Sequence, residues 1–243
     1  MSLQFSEATN NSGICQQARF MAGVDSTQWP TSRIVNSCNN YLDFIAGYAI
    51  AADKRFQWDD TNHTKLPEGT TSIIANQSDY SFLTDEQGNN ILTLLRIDST
   101  DSGGVVRKLI KWDAAQTDLA LSVLFATTGI PQYYDLIADN IIRLYPTPSA
   151  SVTNGLKFFF QRTPSYFATT DTTKAPGVAP LLHRGFVIFS AYDCALSLGL
   201  PNLNALAAEK VKEEQKLTQY FADRNQDEKK VMRPRRFNFR GSL

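Results

Sequence analysis

Histidine is nearly absent from this chain: His63 and His183 are the two in 243 residues. An acid–base or metal site built on paired imidazoles has little to draw on. Cysteine is scarce too. Cys15, Cys38 and Cys194 are odd in number and widely spaced, giving neither a CxxC pair nor a zinc-ligand pattern. Cys38 and Cys194 fall inside apolar helical patterns, so buried thiols are expected, in keeping with a reducing cytoplasm. The chain has no GxxxxGK[ST], GxGxxG, GxSxG or HExxH, which excludes phosphate loops, nucleophile elbows and helical zinc sites of those types. No stretch approaches the roughly 18 apolar residues that span a bilayer. The opening MSLQFSEATNNSG lacks a basic start and an apolar run, so no signal peptide is expected, and the product stays in its cell or leaves by lysis. A charge excess is also missing. The 24 basic residues balance 24 acidic ones, unlike a protein whose main task is to coat nucleic acid.

What is present is patterned. Residues 1–29 are polar, carry little charge and show no helical period, so an extended, loosely attached segment is expected. Pro30-Thr31-Ser32 then opens an amphipathic helix over about 31–56. Ile34, Cys38, Tyr41, Leu42, Ile45, Ala49 and Ala52 recur at spacings that share one helix face. Beyond it the period changes. Thr70–Ala75 and Asp79–Leu83 read as strands joined by Asn76-Gln77-Ser78, a hairpin signal. Ile91–Asp98 and Val105–Trp112 flank Ser-Thr-Asp-Ser-Gly-Gly and read as a second hairpin. Asp113 is a candidate N-cap for a helix to about Phe125. Tyr133–Ile137, Asn140–Tyr145 and Leu156–Arg162 return to strand. Pro146 and Pro148 close one of these, because proline cannot donate to a ladder.

Helical period resumes near residue 178. Leu181, Leu182, Phe186, Phe189, Cys194, Ala195 and Leu198 make a helix apolar on most sides, hence buried. Gly199-Leu200-Pro201-Asn202 stops it. Leu203, Leu206, Ala207, Val211, Glu214, Leu217 and Phe221 mark a further helix to about 224, with Glu209, Lys210, Lys212, Glu213 and Lys216 on its outer face. The terminal KKVMRPRRFNFRGSL carries Lys229, Lys230, Arg233, Arg235, Arg236 and Arg240, with Phe237 and Phe239 at strand spacing. Pro234 forbids a continuous helix, so an extended arm is expected.

The expected fold class is α+β: a bundle of N- and C-terminal helices with a β-rich inserted lobe and an extended C-terminal arm. The bundle takes residues 30–57 and 178–225. The lobe takes 58–177, and the arm 226–243. First and last helices must bury their apolar faces against one another, which leaves the strands as a separate unit.

Chemistry is sparse. His63 lies in the polar turn DDTNHTKLPEG, where neighbouring loop residues converge poorly on one ion, so a capped turn is expected there in place of a metal site. For His183, hydrogen bonding at a helix start outweighs catalysis. Gly103-Gly104 reads as a hairpin turn. Carboxylate pairs for glycoside hydrolysis could come from distant positions, but nothing points to them. Tyr133-Tyr134 and Phe158-Phe159-Phe160 could serve a sugar platform, though strands with one buried face use such residues more often. No catalytic residue, cofactor site or metal site is assigned. The arm admits three readings: phosphate neutralisation on nucleic acid, a solvated tail, or docking on a partner protein with Arg forks and Phe anchors. Interleaved Phe and Pro favour docking.

Several segments together resemble the phage adaptor, or head–tail connector, family. The run Phe56-Gln57-Trp58-Asp59-Asp60-Thr61, then Leu66-Pro67-Glu68-Gly69-Thr70-Thr71, then Ala75-Asn76-Gln77-Ser78-Asp79-Tyr80 is similar to that family's long first helix ending near a Trp, its P-x-G-T-T turn and its A-x-Q-x-D-Y hairpin. Ile141–Pro148, Leu156–Arg162 and Pro180–His183 follow in the family's order, so the resemblance spans about residues 31–224. It implies a non-enzymatic virion protein, made in the host bacterial cytoplasm, that forms a ring of twelve copies at the head–tail junction. The implied partners are the portal protein, further copies of the chain, and tail or nozzle proteins facing the β lobe. No membrane is implied. Double-stranded DNA would pass through the channel during ejection without sequence-specific binding. By position, the portal-docking arm would be Lys229, Lys230, Arg233, Arg235, Arg236, Phe237, Phe239 and Arg240. Other readings are a tail-proximal ring or tail completion protein, which would bind isolated tails. A virion-associated glycan hydrolase would act on polysaccharide, and a carbohydrate-binding module would show glycan affinity.

Overall fold

A computed structural model of the chain describes residues 2–7, 9–52, 68–85, 88–112 and 127–224. Helices occupy both ends and strands the middle, so the α+β expectation holds. Helix α1 spans Ile14–Ala22 and α2 spans Thr31–Ala52. Strands β1 (Glu68–Ile73) to β10 (Val152–Arg162) follow. A 3-10 turn at Pro180–Leu182 leads into α3 (His183–Leu198), and α4 (Leu203–Arg224) comes last.

The helices share one core, in which Ile34, Cys38, Tyr41, Leu42, Ile45 and Ala49 of α2 meet Phe186, Phe189, Cys194 and Ala195 of α3 and Leu206, Leu217 and Phe221 of α4. This is the α2 face that periodicity marks out. Polar pins set the register of α2 on α3: the buried Ser37 hydroxyl donates to Asp193 Oδ2 at 2.6 Å. Gly199 ends α3 in the left-handed region (φ 65°) with its N–H on the Ala195 carbonyl, the conformation glycine adopts at no steric cost.

The expectation of an extended, loosely attached N-terminus is overturned. Ile14, Cys15, Ala18 and Ala22 lie one and two turns apart and form the buried face of α1. Ahead of it, Phe5 is fully buried and stacks on Phe167 at 4.8 Å. Burying such a ring stabilises by about 1.5–3 kcal/mol. The Phe5 and Ser6 N–H groups donate to the carbonyls of Lys174 and Thr172 at 2.7 and 2.9 Å. A few apolar anchors scattered among Ser, Asn and Gln suffice to hold a segment whose average composition is polar.

Two assignments on the later helices are also corrected. Leu181 and Leu198 are exposed, so α3 is largely buried from His183 to Ala195 but not over its last turn. On α4, Val211 is half-exposed while Glu213 is buried. The buried stripe runs Leu206, Glu213, Leu217, Phe221. Lys210 lies close to it, its Nζ 4.8 and 4.5 Å from the Phe189 and Tyr192 ring centroids.

The strands form a four-stranded sheet of order β1-β10-β3-β4 and a second of order β2-β8-β7-β5. Here β2 is Asp79–Ser81, β3 Ile91–Thr100, β4 Val106–Lys108, β5 Ile110–Lys111, β7 Tyr133–Ala138 and β8 Ile141–Tyr145. A short parallel pair joins β6 (Thr128–Gly129) to β9 (Thr147–Pro148). The inner faces meet in a second core of Ile73, Tyr80, Phe82, Ile97, Leu109, Tyr134, Ile142, Leu144, Leu156, Phe158 and Phe160. The hairpin expected across Asn76-Gln77-Ser78 does not form. β1 pairs with β10 and β2 with β8, so these residues turn the chain from one sheet into the other. The Asn76 N–H bonds the Pro148 carbonyl at 2.8 Å and the Ile74 N–H bonds the Tyr80 hydroxyl at 3.0 Å. The β3–β4 hairpin does form, its turn held by Asp101 Oδ1 accepting from the Gly103 and Val105 N–H groups. The helix expected over 113–125 and the end of the first helix near 56 lie outside the described residues.

Candidate functional site

The eight arm residues, Lys229, Lys230, Arg233, Arg235, Arg236, Phe237, Phe239 and Arg240, lie outside the described residues, as does His63. The described residues form the helical body that precedes the arm in the sequence and the surfaces of the β lobe.

His183 is 1% exposed and spans two backbone groups. Its Nδ1 accepts the Leu3 N–H at 2.9 Å and its Nε2 faces the Val178 carbonyl at 3.0 Å. An amide donor on one side and a carbonyl acceptor on the other select the neutral ring with its proton on Nε2. The residue therefore clamps the N-terminal segment and the stretch before α3, which is the hydrogen-bonding role expected of it. All three cysteines are free and buried. Burial pushes the Cys15 thiol up to about 11, and Cys38 and Cys194 up as well. They are thiols at neutral pH. Among the described residues no group of three His, Cys, Asp or Glu side chains could hold a metal ion.

The aromatic strands turn inward. Tyr134, Phe158 and Phe160 are buried, and Tyr133 packs edge-on to Trp112 at 5.5 Å. Phe159 takes the opposite face, where Arg96 and Lys157 lie 5.7 and 5.3 Å from its ring centroid. Lys157 also pairs with Glu68 at 2.9 Å, and Arg96 with Asp98 at 2.6 Å. The exposed face of the first sheet is thus a lattice of paired charges around one phenyl ring. Below it, Arg162 and Asp85 form a buried ion pair at 3.2 Å. On the helical body, Arg184 bridges α3 to Glu209 of α4 at 3.4 Å, and Lys216 donates to the Leu181 carbonyl at 2.8 Å. The last described helix is therefore tied along its length before the chain continues toward the arm.

Sequence reasoning missed three features. Leu3 and Phe5 anchor the N-terminus, and the helical spacing of Ile14, Cys15, Ala18 and Ala22, closed by Gly23, was the signal that could have revealed the helix behind them. The identity of the outer strands of the first sheet was also missed, because strand order cannot be read from strand pattern. No helix among the described residues is long and apolar enough to cross a membrane.

Comparison with known proteins adds the family. The family model of the SU10 adaptor protein matches residues 15–237, and no curated protein matches the chain. The match bears out the resemblance carried by the Trp58 to Tyr80 motifs and the later strands. It also takes in α1, which that resemblance had left out.

Proposed function

The chain belongs to the SU10 adaptor protein family, phage head–tail adaptors, and from this premise we propose that it is a non-enzymatic ring subunit joining the portal to the tail. The observation that carries the proposal is the family match over residues 15–237, which includes most of the basic arm. Its physical support is the division of labour between two cores. One belongs to the helices and their connecting segments, the other to the strands. A helical body that includes α4, beside a lobe that presents sheet surfaces, suits a part with one partner above and another below. Twelve copies would match a dodecameric portal, on which the arm would dock. Zero net charge suits a channel wall past which DNA must slide.

Purified protein mixed with purified portal rings of the same phage tests this by native mass spectrometry. A discrete complex with one copy per portal subunit, lost on deletion of residues 229–243, is the expected result. Absence of binding to intact portals, together with binding to isolated tails, would replace the proposal with a tail-component role.

A further inference from the structure

In the first sheet β1 and β4 are the two outer strands, each laddered on one side only among the described residues. All three residues of β4 are exposed. Beside and along it, Val105 is 51%, Val106 61% and Ile110 59% exposed. Single-copy proteins avoid presenting apolar side chains along an open strand edge, because the free backbone is a template for another chain.

The ladder shows which backbone groups are free. The Leu109 N–H bonds the Ile97 carbonyl at 2.9 Å, and the Asp101 N–H bonds the Val105 carbonyl at 3.0 Å. Bonded pairs recur at every second residue of an antiparallel ladder. With Ser99 opposite Arg107, residues 105, 107 and 109 face β3, and Val106 and Lys108 aim their N–H and C=O groups outward. The same alternation carried through β3 and β10 makes Gly69 and Thr71 the residues of β1 that bond inward, opposite Phe158 and Leu156. Glu68 and Thr70 then face outward, and both are exposed.

We propose that the outward edge of β4 pairs antiparallel with the outward edge of β1 in the neighbouring copy, Lys108 opposite Glu68 and Val106 opposite Thr70. The inference rests on the ring reading and specifies the contact that builds it. Three features favour this occupant. The sheet has four strands, all antiparallel to their neighbours, so β4 runs opposite to β1, and a repeated copy continues the alternation without a break. Thr70, Lys157, Asp98 and Lys108 are register partners across the sheet, so the joined edges keep the same face on the same side. Charge also distinguishes the edges: β4 carries Arg107 and Lys108 and no acid, while β1 carries Glu68 and no base. Two β4 edges would repel one another, whereas β4 accepts β1, which makes the contact head-to-tail and able to close.

A disulfide test follows from the geometry. Positions 70 and 106 of one chain are separated by three strand spacings and a two-residue offset along the strand, more than about 14 Å, beyond the reach of a disulfide, whose Cα atoms lie within about 7 Å. Neighbouring copies joined as proposed would place them about 5.5 Å apart. The full-length T70C/V106C chain, bound to portal rings and oxidised, should give a denaturing-gel ladder from dimer upward, with each single variant remaining monomeric. Val106→Pro removes an outward donor and leaves the β3 ladder intact. It should fold with unchanged circular dichroism and reduce the copies retained per portal at least severalfold. A portal-bound double variant without the ladder would overturn the edge contact and leave the adaptor reading standing. Dimers from V106C alone would overturn it in favour of β4 meeting β4. A ladder in free protein that fails to bind portals would support the edge contact and overturn the adaptor reading.

Discussion

Tyr41 of α2 lies over Gly185 of α3 so closely that a β-carbon at position 185 would collide with the Tyr41 hydroxyl and come within 2.5 and 2.6 Å of its ring carbons Cζ and Cε1. The ring packs edge-on to Phe186 at 4.8 Å and against Phe189 at 4.1 Å. Gly185 is the space that lets α2 and α3 approach, and this contact ties the two chain ends into one body.

Gly185→Ala should therefore destabilise by about 1–3 kcal/mol through overpacking, a fall in Tm of several degrees for a chain of this size. The Tyr41 hydroxyl is buried without a hydrogen-bond partner among the described residues, so Tyr41→Phe should be neutral or stabilising. Thermal melts of the two variants check both signs, and a destabilised Tyr41→Phe would reveal a partner for the hydroxyl.

His183→Leu leaves the Leu3 N–H and the Val178 carbonyl without their partner. Each orphaned group costs about 1–3 kcal/mol. The expected readouts are a lowered Tm and early proteolysis within residues 2–7. An N-terminus that stays resistant would show that Phe5 alone holds it.

Glu7 collects the N–H groups of Thr9, Asn10 and Ser12 and the Ser12 hydroxyl. The Ser12 hydroxyl bond first, then the backbone donors, hold its carboxyl at about 2 against an ordinary 4.5. A folded-state value below the unfolded one means this stabilisation is present above about pH 4.5 and is lost as pH falls toward 2. Glu7→Gln should melt below the parent at neutral pH, and the gap should close as pH approaches 2. A gap independent of pH would show that ionisation of Glu7 contributes nothing.

Asp85→Ala removes the carboxylate paired at 3.2 Å with the buried Arg162 guanidinium, whose side chain is 4% exposed, and the acceptor of the Asn89 N–H at 2.7 Å. Breaking a buried ion pair on one side costs about 3–5 kcal/mol. Urea unfolding should show a loss of that order, and a loss below about 1 kcal/mol would mean that water or a second group compensates Arg162.

Much of this protein was legible without coordinates because its information is local. The helical repeat of Ile34, Cys38, Tyr41, Leu42, Ile45 and Ala49 and the glycine stop at 199 depend on neighbours a few residues away. So do the Asp101 to Gly104 turn and the alternation that buries Phe158 and Phe160. The order helix, strands, helices follows from those periods, and the family resemblance from motifs in the same order. Tertiary structure decided what depends on distant partners. Asn76-Gln77-Ser78 could close a hairpin, but β10 and β8 compete for the flanking strands and draw them into different sheets. Phe5 looks stranded in a polar segment until Phe167, 162 positions later in the sequence, supplies a surface to bury it. Gly185 shows its purpose only against Tyr41. Strand order, and with it the identity of β1 and β4 as the outer strands among the described residues, is settled by which long-range pairings give the best packed core, a competition that no local pattern encodes.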